Sequence, residues 1–331
     1  MKVAILGAGA MGSALTVPPS ENGHEVVLWG TEFDEKSIKS IRDTGIHPAL
    51  GARLPKINTT FDMMEAVKGA SIVVIAVSSE GFKNIATEAS KVLPKDAIFL
   101  TVTKGLAEKE GMVETLSDFY DSFGLHNPYV AIGGPSLAKE VALGNPTRVV
   151  FASKDEKAAE TCTKAFKTKN YFVEKSTDVR GVELLSALKN VYAIPLGAIL
   201  GIEKKTGNVD MMKNLWSAVF TAAVEEMASI VEVFGGKKET AYGLAGLGDL
   251  EVSVRGGRNA KFGQYLGEGM SIKEAEAKIG STVEGYGTTK LVYGFVSSNK
   301  SGKLNTPLLK ATYEMLYKDR PAESLLEILG Q

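Results

Sequence analysis

The sequence predicts two domains: an α/β domain on a mainly parallel, doubly wound sheet over residues 1–178, and an all-α domain over residues 179–331. Three observations carry this prediction. Apolar, β-branched runs of strand length recur through the first half, separated by stretches of helical composition. The first of these runs ends in a glycine-punctuated turn. Past Asp178 the strand-length runs stop, and long segments with helical spacing replace them.

The first element is VAILGAGAMG, residues 3–12. With Lys2 in front and small residues behind, it also fits the start of a secretory signal. The continuation removes that reading, because a short segment to Asn22-Gly23 leads into EVVLWG, residues 25–30, a second buried strand. Strand, glycine turn, helix and strand within about thirty residues form the βαβ unit in which G-x-G-x-x-G binds a dinucleotide. Gly7, Gly9 and Gly12 hold that spacing. Gly7 allows the tight turn, Gly9 lets the backbone approach a pyrophosphate, and Gly12 lets the helix pack on the strand. The amides of the helix start, at Ala10 and Met11, face the anion. The domain is therefore Rossmann-type, with the cofactor expected to be NAD or NADP. Pro18 and Pro19 fall inside the expected helix and predict a kink or an early end there, beyond the first turn that binds the anion.

Further strands are expected at SIVVIAV (71–77), AIFLTVT (97–103), YVAIGG (129–134) and TRVVFAS (147–153), with a helix such as FKNIATEASKVL (82–93) between them. Ligands of open parallel sheets bind beyond the carboxyl ends of the strands. That rule singles out Ser78-Ser79, Thr103-Lys104-Gly105 and Gly133-Gly134-Pro135. Lys104 is the chemically notable member, read either as a site cation or as a solvated loop lysine.

Composition agrees with a globular enzyme: 44% hydrophobic and 23% charged residues over 331 positions. A net charge of −1 gives no electrostatic reason to expect nucleic acid or an anionic membrane surface. No apolar run is expected to reach membrane-spanning length. The single Cys162 fits a reducing, cytoplasmic setting and a packing role. Without clustered cysteines or histidines, no metal centre is expected.

In the second half, GVELLSALKNVYAIPLGAIL (181–200), MMKNLWSAVFTAAVEEMASIVEVF (211–234) and TPLLKATYEMLY (306–317) read as helices. The first is apolar nearly all round yet carries Lys189 and Asn190 in its middle. A buried lysine needs a carboxylate or hydrogen bonds, so Lys189 is either a catalytic group or a chain snorkelling from a partly exposed face. GLAGLGDLEVSVRGGRN (243–259) suits a phosphate, with guanidinium forks at Arg255 and Arg258 and a possible amide nest at Gly256-Gly257. Asp249 is a candidate partner for a buried lysine.

Taken together and in order, GAGAMGSAL, HPALG with RLP after it, TKG, GGPSLAKEV, GVELLSALKNVYA, GLAGLGDL, GGRN and VEG resemble the NAD(P)-dependent glycerol-3-phosphate dehydrogenase family. The resemblance runs from about residue 3 to 325. It implies reversible hydride transfer between NAD(P)H and dihydroxyacetone phosphate, giving sn-glycerol 3-phosphate and supplying the glycerophospholipid backbone. It also implies that Lys189 is the general acid/base, that Asp249 orients it and that Lys104 supports substrate. Arg258 and Asn259, with Gly257, would hold the phosphate, Asn190 would assist, and Ser253 matches a family serine or threonine. Glu284 would lie near the cofactor, with Lys104 and Arg258 shared between the substrate and cofactor sets. Two other readings stand beside it: a related two-domain reductase of another small keto or hydroxy acid, and a dinucleotide sensor that regulates a partner. A homodimer is the expected assembly.

NAD-specific sites usually carry a carboxylate at the end of the second strand. Here that position is Gly30, with Glu32 two residues on. Both cofactors are therefore expected to serve, with NADP at least tolerated.

Overall fold

The structure, a computed structural model, describes residues 1–109, 112–207, 212–298 and 304–330. The chain forms two compact units, Met1–Lys104 with Thr115–Val182, and Gly105–Glu114 with Glu183–Gln331.

The first unit is built on β1 (Lys2–Leu6), β2 (Glu25–Trp29), β3 (Asn58–Thr60), β4 (Ile72–Ile75), β5 (Ile98–Thr101), β6 (Tyr129–Gly133), β7 (Thr147–Ala152) and β8 (Tyr171–Ser176). They form one sheet in the order β8-β7-β6-β5-β4-β1-β2-β3. All neighbours are parallel except β6 and β7. Successive side chains point to opposite faces of a strand, so the alternation along these strands sorts them into two cores. Val3, Ile5, Leu28, Val74 and Leu100 belong to one core. Ala4, Leu6, Trp29, Val73 and Phe99 belong to the other. Fully burying each Val, Leu, Ile or Phe among them contributes about 1.5–3 kcal/mol, which is why continuous apolar runs make central strands.

The helix after β1 ends early, at Ala14, which is one of the two expected outcomes, and a second helix, Val17–Glu21, follows it. Pro18 and Pro19 lie in the first turn of the second, where backbone N–H groups have no intrahelical acceptor to lose. The first turn after the glycines survives, as expected.

Two features of this unit are absent from the sequence reading. Strands β3 and β8 are sheet edges with polar, exposed positions, and Ile46–His47 pairs with Ala52–Arg53 in a small ribbon.

Among the described residues the second unit is helical apart from the antiparallel pair Ala107–Lys109 and Met112–Glu114. Its longest element is the Val179–Thr206 helix, in which every residue from Gly181 to Ile199 is buried. By length and composition this helix is apolar enough to cross a bilayer, which corrects the expectation that no run is. Its apolar surface is instead covered by protein. The helix Arg258–Gly267 packs on it at backbone contact: a β-carbon at Gly263 would lie 1.9 Å from the carbonyl oxygen of Ile194, and one at Gly197 would lie 2.0 Å from that of Ala260. Only glycine permits this approach, and it sets the start of the second helix beside the Lys189 turn of the first.

Candidate active site

The glycine turn has the geometry its spacing predicts. Gly7 has φ +120°, a conformation that L side chains rarely adopt. A β-carbon on Gly12 would sit 2.0 Å from the Gly7 carbonyl oxygen, whereas one on Gly9 would meet nothing within 4 Å. The turn is thus closed on its protein side and open at the glycine whose backbone must approach a pyrophosphate, which fits a dinucleotide. Ala10, Met11 and Gly12 begin the following helix. Ser78 follows β4 and caps the helix Ser79–Val92, its hydroxyl accepting from Gly81 N at 3.4 Å. Lys104 follows β5 and is the last residue of the unit's first segment. At Gly30 a β-carbon would lie 2.9 Å from Ile38 Cγ1 and 3.0 Å from Asp34 Cβ, so the packed helix start leaves no room for a carboxylate there. Asp34 itself accepts the backbone N–H and the hydroxyl of Thr31, each at 2.9 Å.

In the second unit Lys189 Nζ donates to Asp249 Oδ1 at 2.5 Å. The side chains are 10% and 1% exposed, so Lys189 does not snorkel. Asp249 is delivered by a π-helical turn, Leu244–Gly248, that runs directly into the helix Asp249–Val254. Such turns are uncommon and recur at functional sites.

A second network adjoins this pair in sequence. Asn190 Nδ2 donates to Glu284 Oε2 at 3.0 Å, and Asn259 Nδ2 donates to Asn190 Oδ1 at 3.0 Å. The Gly285 N–H donates to Asn259 Oδ1 at 2.9 Å. Three separate helices are thereby tied at one point. Arg258, half-exposed, has its guanidinium 4.0 Å from Glu284 Oε1. The arrangement offers a buried ammonium, two amides in fixed orientation and an accessible guanidinium, a set suited to protonating an oxygen and holding an anion.

Other predicted groups are engaged locally. Ser253 Oγ donates to the Asp249 carbonyl at 2.6 Å, and the Gly257 N–H donates to the Ser253 carbonyl at 2.9 Å. The Gly257 amide therefore already has an acceptor, contrary to the amide-nest reading. Arg255 pairs with Glu251 at 2.5 Å on the surface, away from a role as an anion fork.

Two buried groups escaped the sequence reading. Glu226, 4% exposed, accepts the Tyr192 hydroxyl at 2.8 Å and the N–H groups of Leu308 and Leu309 at 2.6 and 2.9 Å. Burial pushes its carboxyl up to about 7, against these three donors. Ser186, 3% exposed, has a hydroxyl with no partner among the described residues. The one available signal was a polar residue within each apolar helical run.

The comparisons with known proteins cover the whole chain. Residues 2–159 match the family described as NAD-dependent glycerol-3-phosphate dehydrogenase N-terminus, and residues 178–327 match its C-terminus. An NADP(+)-dependent glycerol-3-phosphate dehydrogenase from Archaeoglobus fulgidus is 40% identical over 98% of each chain. A glycerol-3-phosphate dehydrogenase [NAD(P)+] from Wigglesworthia glossinidia brevipalpis is 33% identical, covering 98% of this chain and 97% of its own. The crystal structure of glycerol-3-phosphate dehydrogenase from Coxiella burnetii superposes with a TM-score of 0.87 at 30% identity, over 100% of this chain and 98% of that one. A ketopantoate reductase from Ralstonia eutropha JMP134, at 19% identity and a TM-score of 0.61 over 98% of this chain and 100% of that one, shares the fold alone. With both halves matched in order and relatives above 30% identity along its full length, this chain belongs to the NAD-dependent glycerol-3-phosphate dehydrogenase family.

Proposed function

We propose that this chain catalyses reversible hydride transfer between NAD(P)H and dihydroxyacetone phosphate, giving sn-glycerol 3-phosphate, with Lys189 as the proton donor. The observation that carries this reading is the buried Lys189–Asp249 pair in a chain of this family. The nicotinamide supplies the hydride when bound. As the carbonyl is reduced, negative charge grows on its oxygen, and a positioned ammonium stabilises that charge and then gives up its proton. Asp249 holds the ammonium in place.

Arg258 and Asn259 bind the phosphate, with Gly257 and Ser253 framing them, and Asn190 keeps Asn259 oriented. Lys104 supplies a further ammonium to the bound molecules. Gly7, Gly9, Ala10, Met11 and Gly12 hold the pyrophosphate, and Gly30, Ser78, Glu284 and Arg258 contribute to the remaining cofactor contacts. The crowded Gly30 supports acceptance of NADP as well as NAD, and the Archaeoglobus relative, named for NADP(+), points the same way. Cytoplasmic supply of a phospholipid backbone by a homodimer is the setting we assign. A sensor that only bound cofactor would have no use for a desolvated lysine–aspartate pair, which favours the enzyme.

The test is the loss of nicotinamide absorbance when purified protein meets NADPH, or NADH, with and without dihydroxyacetone phosphate. Oxidation dependent on the ester, with the two cofactors within about a hundredfold, or roughly 2.7 kcal/mol, is the expected result. Binding of cofactor without turnover would hand the site to another substrate or to a sensor.

A further inference from the structure

We propose that His47 is a positioning residue for the cofactor: through the Ala8 carbonyl it sets the direction in which the glycine turn presents its amide to a pyrophosphate. The proposal rests on the reading of Gly7, Gly9 and Gly12 as the pyrophosphate site.

His47 opens HPALG, residues 47–51, which folds into a tight turn. The Gly51 N–H donates to the His47 carbonyl at 2.9 Å, with Gly51 at φ +60°, and the Leu50 N–H lies 3.3 Å from His47 Nδ1. On the other side of the ring, Nε2 lies 3.2 Å from the Ala8 carbonyl oxygen. A backbone N–H can only donate and a carbonyl oxygen can only accept, so one tautomer meets both contacts: Nδ1 accepts from Leu50 and Nε2–H donates to Ala8. The turn therefore fixes both the place of the ring and the nitrogen that carries the proton. His47 is 2% exposed and Ala8 is fully buried, which strengthens the bond between them.

Ala8 stands between Gly7 and Gly9, two residues that leave the peptide units around it free to rotate. The Ala8 carbonyl and the Gly9 N–H belong to one planar trans peptide and point in opposite directions. Holding the carbonyl from within the fold thus aims the Gly9 N–H the other way, at the glycine where an added β-carbon would meet nothing within 4 Å. The Ser13 hydroxyl donates to the same carbonyl at 3.3 Å from the helix that follows. Two buried donors from two elements lock one peptide plane, and an amide already aimed binds an anion without first being ordered.

The experiment titrates the whole chain with NADPH, followed by nicotinamide fluorescence, and compares wild type with His47→Asn and His47→Gln, alongside steady-state kinetics. Asparagine keeps an acceptor near the place of Nδ1 but falls short of Ala8, whereas glutamine carries a donor to the reach of Nε2 and gives up the Leu50 contact. His47→Asn is expected to raise Kd and KM for NADPH about three- to tenfold with KM for dihydroxyacetone phosphate unchanged, and His47→Gln to stay within about twofold of wild type. Equal weakening in both variants, no weakening in either, or weakening in the glutamine variant alone would overturn the proposal. Should His47→Asn fail to fold, Ser13→Ala decides instead: it removes the other donor to Ala8, a raised Kd for NADPH is expected, and an unchanged one overturns the proposal. Gly9→Val tests the underlying reading, because Gly9 has φ −70°, open to any residue, and room for a β-carbon. NADPH binding retained in Gly9→Val would remove the glycine turn as the pyrophosphate site. Binding lost there but unaltered in His47→Asn would remove His47 alone.

Discussion

Lys189 and Asp249, 60 positions apart in sequence, meet with Nζ 2.5 Å from Oδ1, and the aspartate side chain is 1% exposed. Two charges taken this far out of water hold together only by compensating each other, so neither residue can be changed without consequence for the other.

The pair gives separable expectations for catalysis and stability. Lys189→Met is expected to cut turnover about a hundred- to ten-thousandfold while leaving NADPH binding, followed by fluorescence titration, nearly intact. Asp249→Ala leaves an ammonium where its carboxylate was and is expected to lower unfolding free energy by about 3–5 kcal/mol, whereas the Lys189→Met/Asp249→Leu double variant recovers most of that loss. Retained turnover in Lys189→Met, or additive losses in the double variant, would contradict the coupling.

Arg258 is half-exposed and Glu284 Oε1 lies 4.0 Å from its guanidinium, beyond hydrogen-bond distance, so the guanidinium is available to an anion. Arg258→Ala is expected to reduce kcat/KM for dihydroxyacetone phosphate about a hundredfold, with a much smaller effect on unphosphorylated dihydroxyacetone, since a phosphate clamp uses binding remote from the reacting carbon. An equal loss on both ketones would show that the arginine does not read the phosphate.

Gly263 tests how the fold sets this geometry. A β-carbon there would meet the Ile194 carbonyl oxygen at 1.9 Å, so Gly263→Ala must push two packed helices apart. Urea denaturation should show a loss of about 1–3 kcal/mol, typical of overpacking. Because Arg258 and Asn259 begin the displaced helix, KM for the phosphate ester should rise while cofactor affinity stays the same. A variant as stable as the wild type would mean the contact relaxes freely.

Much of this was legible in the sequence where one physical demand fixes one residue type. β1 and its turn read correctly because a fully buried strand is apolar throughout and Gly7, Gly9 and Gly12 each answer a distinct steric need. Lys189 stood out as a charge inside an apolar helix, and Asp249 stood out as a candidate partner within the glycine-rich stretch, to which the resemblance added the orienting role. Elements whose residues face both ways were harder to read. β8, with Glu174 and Lys175 exposed on a sheet edge, carries no alternation strong enough to mark a strand. The Gly256-Gly257 pair looked like an anion nest because sequence cannot reveal that the Gly257 amide already has an acceptor in Ser253. Pro18 and Pro19 looked like faults in a helix because the break at Leu15-Thr16, which puts them in a new first turn, leaves no compositional mark.

Glu226 was hidden in the same way, as one of two adjacent glutamates in a long amphipathic stretch, and it now carries a prediction of its own. Burial raises its carboxyl from the usual 4.5 to about 7, although the Leu308 and Leu309 amides and the Tyr192 hydroxyl all favour the charged form. Tyr192 is itself pushed well above its ordinary value by burial and by this carboxylate, so it remains a donor throughout. With the folded value above the unfolded one, the native state binds more protons than the unfolded chain between about pH 4.5 and 7. The contribution of this group to stability is therefore fully present below about 4.5 and is lost as pH rises through 7. The difference corresponds to about 3 kcal/mol. Other groups titrate in the same range, so the measurement is the difference between wild type and Glu226→Gln in urea unfolding free energy at pH 5 and pH 8. The wild type is expected to lose about 2–3 kcal/mol more than the variant across that interval, and parallel pH dependences would mean that Glu226 stays ionised in the native protein.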